Sequence, residues 1–351
     1  MLLKRLITVL QEPFPALESL HLVIDDNQTG ETLPVLPNTF LGGSAPRLRS
    51  LHFDRIPFPA LPRLLSSSND LVNLELYRIP HSGYISPEVV ATSISSLTRL
   101  TRFSIGFESP ASRPDPTNRR SPPLIQAIMP ALTKLWFHGV SEYLEDLVAR
   151  VHAPLLHDLQ ITFFNQLDFD IQQLPRFIGH APTLLSYKLA DVCLSEENIK
   201  LYMSEHPFSS LRNLTFRISC RSIDWQISAM AQICDQLSSF MSGIETLNIN
   251  GHDGLKSTWM MADMDNTQWL ELFHPFTAVQ TLHMSREELQ SLIVLTLREL
   301  GGESATEVLP ALDDLYLAEF QVSASVREGI EPFIIAREGS AHPVAIHPRE
   351  R

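Results

Sequence analysis

The feature that most constrains this chain is a short apolar pattern, L-x-x-L-x-L, in which Phe, Ile, Val, Met or Tyr can replace Leu. Eleven copies occur, spaced about 30 residues apart on average. They begin at Leu17, Leu48, Leu71, Leu100, Leu132, Leu156, Leu184, Leu211, Ile244, Val279 and Leu312. Because a single unit of this kind cannot bury its apolar side alone, neighbouring units must stack on one another.

One complete unit shows what each copy builds. Leu135 and Phe137 alternate with residues of the opposite face, which is the period of a β-strand. Ser141 then begins a segment whose apolar residues recur at helical spacing, and Pro154 ends it before the next copy starts. A strand, a turn, a helix and a return to the next strand make a parallel β–α unit.

The repeat length is that of a leucine-rich repeat. The sequence therefore predicts an α/β fold, a leucine-rich-repeat solenoid (horseshoe) with one curved parallel sheet and helices on the convex side. We expect residues 1–351 to form a single irregular solenoid of about eleven repeats. The asparagine or cysteine that regular repeats carry after the strand is missing, so the chain departs from the regular classes.

Helix-start signals and apolar periodicity between the strands predict the helices. The predicted segments are 86–97, 141–151, 171–180, 195–206, 226–241, 267–273 and 286–300. Ser86 is the expected N-cap of the first helix, with Pro87 at its first helical position. Residues 109–123 contain five prolines and three arginines, and we expect them to form an exposed, extended Pro/Arg-rich loop.

The net charge is −13, from 40 acidic and 27 basic residues. This balance argues against a nucleic-acid-binding protein, which needs many Lys and Arg to replace counterions. Three scattered cysteines are too few for a disulfide framework, which favours a reducing compartment. No apolar stretch is long enough for a membrane span. We therefore expect a cytoplasmic or nuclear protein that binds neither nucleic acid nor membrane.

The sequence contains none of the common catalytic or phosphate-binding motifs, such as G-x-S-x-G, H-E-x-x-H or G-x-x-x-x-G-K-[ST]. His21 and His52 are expected on neighbouring strands, where they could touch. A metal site there would need a third ligand, such as Asp25 or Asp54. We expect no catalytic residue, no cofactor and no metal ion, and hence a protein that is not an enzyme.

The residues between the strand leucines, and those two positions further along, face the concave side of the predicted sheet, where solenoids bind partners. The candidate partner-binding residues are His52, Glu75, Tyr77, Trp136, His138, Gln160, Lys188, Arg217, Asn248, His283 and Tyr316. Tyr77, Trp136 and Tyr316 belong to residue types that anchor protein interfaces. The alternative is that a large aromatic side chain only covers the strands beside it. We expect Trp136 and Tyr316 to be exposed, so that replacing them by Ala leaves folding nearly unchanged.

Several longer strings go beyond a generic repeat. They are LGGSAPRLRSL (41–51), IPFPALPRLL (56–65), IPHSGYISPE (79–88), GVSEYLEDLVAR (139–150), APLLHDLQITFFNQ (153–166) and AHPVAIH (341–347). Together they resemble the leucine-rich region of the F-box-like protein family of mushroom-forming fungi, and the resemblance covers nearly the whole chain. In that family the repeats follow an N-terminal F-box, a small helical module that binds the Skp adaptor of cullin ubiquitin ligases.

The resemblance implies that the repeats present a target, as in the substrate receptor of a ubiquitin ligase, with an unidentified protein partner on the concave face. Residues 1–16 leave too little room for an F-box before the first copy at Leu17, so we expect this module to be missing. A Skp-type adaptor would be a partner only if an upstream F-box exists. The alternative hypothesis is a structural or sensor scaffold that has no link to ubiquitin.

Overall fold

A computed structural model of the chain describes most of the sequence. The described residues are 9–24, 35–115, 126–206, 214–251, 267–285, 287–300, 305–317 and 324–348. The chain divides into two compact units, each with its own set of sheet strands and helices. The first unit comprises residues 1–164 and 170–184, and the second comprises residues 165–169 and 185–351.

Parallel strands dominate the first unit. They are β1 (Ser19–Val23), β2 (Ser50–Asp54), β3 (Asn73–Ile79), β4 (Arg102–Phe107), β5 (Ala127–Ile128), β6 (Lys134–Gly139), β7 (Val151–His152) and β8 (Asp158–Phe164). Six of them form a parallel sheet in the order β1-β2-β3-β4-β6-β8. β5 and β7 pair in parallel as a small second sheet. Parallel neighbours require the chain to cross back between strands, as the repeated β–α unit predicts.

The repeat leucines of this unit form one column across the sheet. Leu51 pairs in register with Leu74, and Leu135 with Leu159. The whole column is Leu20, Leu51, Leu74, Phe103, Leu135 and Leu159. From Leu51 onward each member is at most 4% exposed, and burial of such a side chain contributes about 1.5–3 kcal/mol. The strands predicted from the first six copies are therefore confirmed.

Short helices connect these strands. In the described part of this unit they are α1 (Leu61–Leu65), α2 (Pro87–Ile94), α3 (Ser141–Val148) and α4 (Gln173–Gly179). Each helix packs against the next one. Ser86 is the N-cap residue of α2 and Pro87 begins the helix, as predicted, although the Ser86 hydroxyl makes no capping hydrogen bond. The helices predicted at 86–97, 141–151 and 171–180 are thus present over slightly shorter spans.

Buried side chains of α3 bond to backbone groups of neighbouring repeats. Both carboxylate oxygens of Glu145 accept N–H groups at the start of α4, from Gln173 at 2.6 Å and from Leu174 at 2.9 Å. The Tyr143 hydroxyl donates to the carbonyl of Ile85 at 2.8 Å. A helix start leaves backbone N–H groups without intrahelical partners, so Glu145 supplies the cap that α4 needs from the adjacent helix.

The second unit contains a mixed sheet. Its strands are β9 (Leu189–Leu194), β10 (Asn198–Ser204), β11 (Leu214–Ser219), β12 (Thr246–Gly251), β13 (Thr281–Met284), β14 (Asp314–Leu317) and β15 (Ala345–Pro348). They lie in the order β11-β10-β9-β12-β13-β14-β15. β10 is antiparallel to both of its neighbours, and the pairs from β9 through β12 to β15 are parallel. The strands predicted from the copies at Leu211, Ile244, Val279 and Leu312 are confirmed.

The helix predicted at 195–206 is wrong, because residues 198–204 form strand β10. Ile199, Leu201 and Met203 are all fully buried and alternate with half-buried residues, which is a strand period. A Ser-Glu-Glu sequence resembling a helix start stands before them, but it lies instead in the tight turn between β9 and β10. There Ser195 N–H donates to Asn198 O at 2.9 Å.

Helices of the second unit pack in pairs. Those in the described residues are α5 (Ile223–Gln236), α6 (Ser238–Met241), α7 (Thr267–Phe273), α8 (Glu287–Glu299) and α9 (Ala324–Gly339). The first four confirm the segments predicted at 226–241, 267–273 and 286–300, and α9 lies outside every predicted segment. α5 packs against α7, and α8 packs against α9. Gly329 lets α9 approach α8 closely, since a Cβ there would lie 2.6 Å from Val294 Cγ1.

Buried helix glutamines bond to strand-end carbonyls, the kind of group that an asparagine ladder would satisfy. Gln226 of α5 is fully buried, and its Nε2 donates to Cys220 O at 2.7 Å and to Ser195 O at 2.9 Å. Gln290 of α8 donates from Nε2 to Met284 O at 3.2 Å. In both cases the glutamine lies six residues after the carbonyl. The missing ladder is therefore compensated locally, because a buried carbonyl needs a donor.

Arg337 is the most unusual core residue of the second unit, because its side chain is 0% exposed. Its guanidinium donates to Leu312 O at 2.7 Å, and Nε donates to His342 O at 3.2 Å. Three longer bonds of 3.3 to 3.4 Å reach the carbonyls of Ala305, Leu309 and Pro310. Burial lowers the pKa of Arg337, and the Asp313 carboxylate opposes that shift. This cation therefore ties α9 to the loop before β14.

The structure describes only part of the predicted Pro/Arg-rich loop. Residues 109–115 of the predicted Pro/Arg-rich loop contain turns and irregular backbone, while residues 116–123 lie outside the described residues. Within the described ranges, every helix is too short or too polar to cross a lipid bilayer. The arrangement of residues 1–351 as one solenoid stays a prediction.

Candidate functional site

The outward side chains of the first unit form a continuous polar face beside the buried leucines. One column across the sheet is His21, His52, Glu75, Ser104, Trp136 and Gln160, and each member is the register partner of the next. A second column contains Asp54 paired with Tyr77 and, beyond a register shift in β3, Gly106, His138 and Thr162. The six predicted site residues of this unit, His52, Glu75, Tyr77, Trp136, His138 and Gln160, therefore share one face.

A row of aromatic and imidazole rings runs across this face, and we call it the ring row. Its members are His21, His52, Tyr77, Trp136, His138 and Phe164. Successive ring centroids are 3.9, 5.3, 4.9, 6.0 and 4.5 Å apart. Three of these contacts are edge-to-face and two are tilted. Edge-to-face contacts at such distances are favourable, so the rings support one another as one surface.

The contact between Tyr77 and Trp136 crosses an entire strand. Tyr77 lies on β3 and Trp136 on β6, with β4 between them. It is possible because Ser104 and Gly106, two outward residues of β4, are small: a Cβ on Gly106 would lie 2.6 Å from Trp136 Cζ3. Trp136 therefore lies over the bare backbone of Gly106. This geometry matches the alternative that a large aromatic covers its neighbouring strands, and it also fixes the ring in place.

Trp136 and Tyr316 are both half-buried, so the expectation that they are simply exposed is wrong. Trp136 packs on Gly106, Tyr77 and His138. A side chain with such contacts contributes to stability as well as to any interface. Replacing it by Ala should therefore cost free energy, which the sequence alone did not suggest.

Polar contacts hold the ring row in register. His52 Nδ1 lies 2.8 Å from Glu75 Oε2, and the Tyr77 hydroxyl donates to Ser104 Oγ at 3.3 Å. Burial raises the pKa of the Tyr77 phenol, and the hydrogen bond to Ser104 opposes that rise. The phenol is therefore protonated at neutral pH, and the side chain acts as a hydrogen-bond donor.

Arg55, just after β2, and Arg78, near the end of β3, adopt an uncommon backbone conformation. Arg55 has φ 60° and Arg78 has φ 47°, in the left-handed region that non-glycine residues seldom adopt. Arg78 grips Asp54 with two bonds, Nε to Oδ1 at 2.7 Å and Nη2 to Oδ2 at 2.6 Å. Arg55 Nη2 lies 2.8 Å from Glu108 Oε1. Strained backbone of this kind is retained where surrounding contacts over-determine it, and here it brings two ion pairs to the edge of the polar face.

The second unit carries its own outward column. Asn248, His283 and Tyr316 are successive register partners, as predicted, and the column continues to Asp191 on one side and His347 on the other. Asn248 Nδ2 donates to Asp191 Oδ1 at 2.6 Å. The rings of His283, Tyr316 and His347 stack at 4.5 and 4.8 Å.

Lys188 does not occupy the position predicted for it. The copy beginning at Leu184 is offset, because β9 starts only at Leu189 and the residue that pairs with Asn248 is Asp191. Lys188 lies just before the strand, and its ammonium group forms an ion pair with Glu245. Arg217 does lie on an outward position, in β11, and its register partner is Lys200 of β10.

Four outward residues of the second unit were missed by sequence reasoning. They are Asp191, Lys200, Tyr202 and His347. Lys200 and Tyr202 belong to the segment predicted as a helix, and the alternation of Ile199, Leu201 and Met203 was the signal that could have found them. His347 stands in a strand that contains no copy of the leucine pattern, and its Nε2 lies 2.7 Å from Asp314 Oδ1.

The described residues show no arrangement typical of a metal centre. His21 and His52 do touch, with ring centroids 3.9 Å apart. However, Asp54 is held by Arg78, and Asp25, the other proposed third ligand, lies outside the described residues. Within the described part of the chain, no group of three or more His, Cys, Asp or Glu side chains converges as metal ligands would.

The chain shows only distant similarity to known proteins. No family model matches the chain, and no curated protein matches it. Among solved structures, the chain is similar to the leucine-rich repeat-containing protein LegL7 from Legionella pneumophila, with 11% sequence identity and a TM-score of 0.34. The match covers 93% of this chain and 93% of that chain. This similarity is too distant to assign a function.

Proposed function

We propose that this chain is a non-enzymatic recognition module, a leucine-rich-repeat scaffold that binds a protein partner on the polar faces of its sheets. The observation that supports this most strongly is the ring row of the first unit. It places Tyr77 and Trp136 in contact at 4.9 Å on a face that is only half-buried. Tyrosine and tryptophan are enriched among the residues that contribute most to binding energy.

The polar groups around the ring row are already arranged before any partner arrives. His52 contacts Glu75, Arg78 grips Asp54, and Trp136 is held over Gly106. A surface that is ordered in advance loses less side-chain entropy when it binds. We therefore propose recognition rather than catalysis as the role of this face.

We further propose that the partner is a target presented for ubiquitin transfer, as the resemblance to the F-box-like family implies. A Skp-type adaptor would take part where an F-box accompanies the repeats in the full gene product. If the partner receives no ubiquitin, the chain is instead a structural or sensor scaffold. We place either function in the cytoplasm or nucleus, and neither requires nucleic acid or a membrane.

Site-specific photo-crosslinking tests the recognition proposal. A photoreactive amino acid replaces Gln160, which is exposed on the polar face, and a matched control replaces Val89, which is 42% exposed on α2. Extracts of the source organism then supply the partner. We expect a defined adduct from position 160 that disappears in the Tyr77→Ala, Trp136→Ala background, and none from position 89. Equal labelling from both positions, or labelling that survives the double substitution, would count against the proposal.

The ubiquitin proposal needs a separate measurement. The crosslinked partner is followed in cells that contain or lack the full gene product, and its ubiquitin conjugates and half-life are compared. Conjugates that depend on the gene product, together with co-purification of a Skp-type adaptor, would support a receptor. A bound partner with unchanged conjugates and half-life would favour the scaffold.

A further inference from the structure

Two cations face each other on the polar side of the second unit. Lys200 of β10 and Arg217 of β11 are direct register partners in the antiparallel pair, and both are half-buried outward residues. Directly opposite residues have Cβ atoms about 5 Å apart, and like charges at that distance repel. Tyr202 and Thr215 form the next outward pair of the same two strands. We call these four residues the hairpin patch.

The two cations lack anionic partners within the described residues. Lys188 of the same unit, in contrast, is paired with Glu245. The closest acidic residue in the strand register is Asp191 on β9, and its carboxylate accepts from Asn248 on the opposite neighbouring strand. In addition, Arg217 Nε is a buried donor with no hydrogen-bond partner. Two facing cations without an anionic partner repel each other, so an anion supplied from outside would stabilise the pair.

The absence of an anionic partner for Lys200 and Arg217 among the described residues is informative because the chain as a whole is acidic. The net charge is −13, so acidic groups are abundant, yet none of those described pairs with Lys200 or Arg217. The guanidinium fork of arginine matches a carboxylate through two parallel N–H bonds. Lys200 supplies a second positive charge beside it. The strongly acidic balance also disfavours a long polyanion such as nucleic acid, which the rest of the surface would repel.

We propose that the hairpin patch binds the carboxylates of an acidic segment of a protein partner. Arg217 holds a carboxylate through its fork, and Lys200 neutralises the same or the adjacent acidic side chain. The proposal rests on the proposed recognition function and names the chemistry of one part of the partner. It concerns the β10–β11 pair alone and makes no use of the ring row.

A defined peptide probe tests the patch on the full chain. The probe is a fluorescent peptide of ten residues rich in Glu, and the controls are the matched Gln peptide, a phosphoserine peptide and a single-stranded RNA. Anisotropy is measured at low and high salt. We expect binding of the Glu peptide that weakens with salt, and at least about fivefold weaker binding in Lys200→Gln and in Arg217→Gln. The control Lys188→Gln removes a paired cation of the same unit and should change the affinity less than about twofold.

A charge reversal supplies an independent readout. Lys200→Glu replaces the repulsion with an opposite-charge pair across the two strands, so we expect the midpoint of thermal unfolding to rise by about 1–3 °C. The same variant should no longer bind the Glu peptide. A purely structural lysine would give neither the gain in stability nor the loss of binding.

Several outcomes would overturn the proposal. They are no binding of the Glu peptide by the unmodified protein, equal binding of the Gln peptide, tighter binding of the phosphoserine peptide or RNA, and unchanged affinity in Lys200→Gln and Arg217→Gln. None of these affects crosslinking from position 160. A failure of the patch and a failure of the recognition function are therefore distinguishable.

Discussion

At the scale of single residues, the candidate site depends on a residue that has no side chain. Gly106 leaves room for the Trp136 ring, and Trp136 in turn reaches Tyr77 across β4. The leucine pattern could predict that Trp136 lies on the outward face. It could not predict the crossing contact, because that depends on the size of an outward residue in a neighbouring strand.

Substitution of Gly106 tests this contact. A methyl group at Gly106 would overlap the Trp136 ring, so Gly106→Ala should lower the free energy of unfolding by about 1–3 kcal/mol. In the Trp136→Ala background the same change should cost much less, since the ring is gone. A double-mutant cycle by urea unfolding measures the difference. Additive costs would show that the two residues do not interact.

The buried guanidinium of Arg337 gives a second test at this scale. Arg337→Met keeps much of the volume and removes the donors to Leu312 O, His342 O and the longer-bonded carbonyls. Because buried carbonyls would lose their partners, we expect a loss of about 3 kcal/mol in the unfolding free energy. Arg99→Met is the control, since Arg99 forms an exposed ion pair with Asp70, and it should cost less than about 1 kcal/mol. Equal effects of the two substitutions would contradict this account of Arg337.

The raised pKa of Tyr84 should make the free energy of unfolding depend on pH in the alkaline range. Burial, with smaller contributions from Glu88 and Asp146, raises the pKa of Tyr84 to about 12. The folded state therefore holds the phenol proton more tightly than the unfolded state, where the pKa is about 10. The stabilisation is complete below about pH 10 and is lost as the pH rises towards 12. Tyr84→Phe should flatten this decline in unfolding free energy, and an unchanged slope would contradict the prediction.

At the scale of secondary-structure elements, the leucine pattern predicts strands well and helices less well. Ten of its copies mark strands in the described residues, because alternating burial is visible in the local sequence. The copy at Leu184 is offset, and 195–206 is a strand instead of a helix. The two errors concern β9 and β10, which pair antiparallel with each other. The partner of a strand is a non-local property that a repeat period does not encode.

The first N–H groups of α4 are capped by Glu145 of α3, the helix of the preceding repeat. Glu145→Ala removes the acceptor of the Gln173 and Leu174 N–H groups, so we expect a loss of about 1–2 kcal/mol. Hydrogen exchange at these two amides should accelerate more than exchange elsewhere in the first unit. Glu142→Ala, on the same helix, should leave both amides protected. Equal acceleration in the two variants would show that Glu145 does not cap α4.

At the scale of the whole molecule, each unit has its own polar face, and the two faces differ. The first carries the ring row and two ion pairs at strand ends, while the second carries the stacked rings of His283, Tyr316 and His347 and the hairpin patch. Outward positions could be predicted from alternation. The contacts of these residues could not be predicted. They depend on the left-handed backbone of Arg78, on the small Gly106 in β4, and on β15, a strand without the leucine pattern. The contacts of the outward residues therefore differ from strand to strand and do not repeat with the leucine pattern.

The most direct test of the recognition function is the affinity for the partner found by crosslinking. Calorimetry compares the unmodified protein with the Tyr77→Ala, Trp136→Ala variant and with Val89→Ala on α2, after native folding of each has been verified. We predict at least about tenfold weaker binding for the double variant, as expected for residues that anchor an interface, and a change under about twofold for the control. Unchanged affinity in the double variant, or an equal loss in the control, would contradict partner recognition by the ring row.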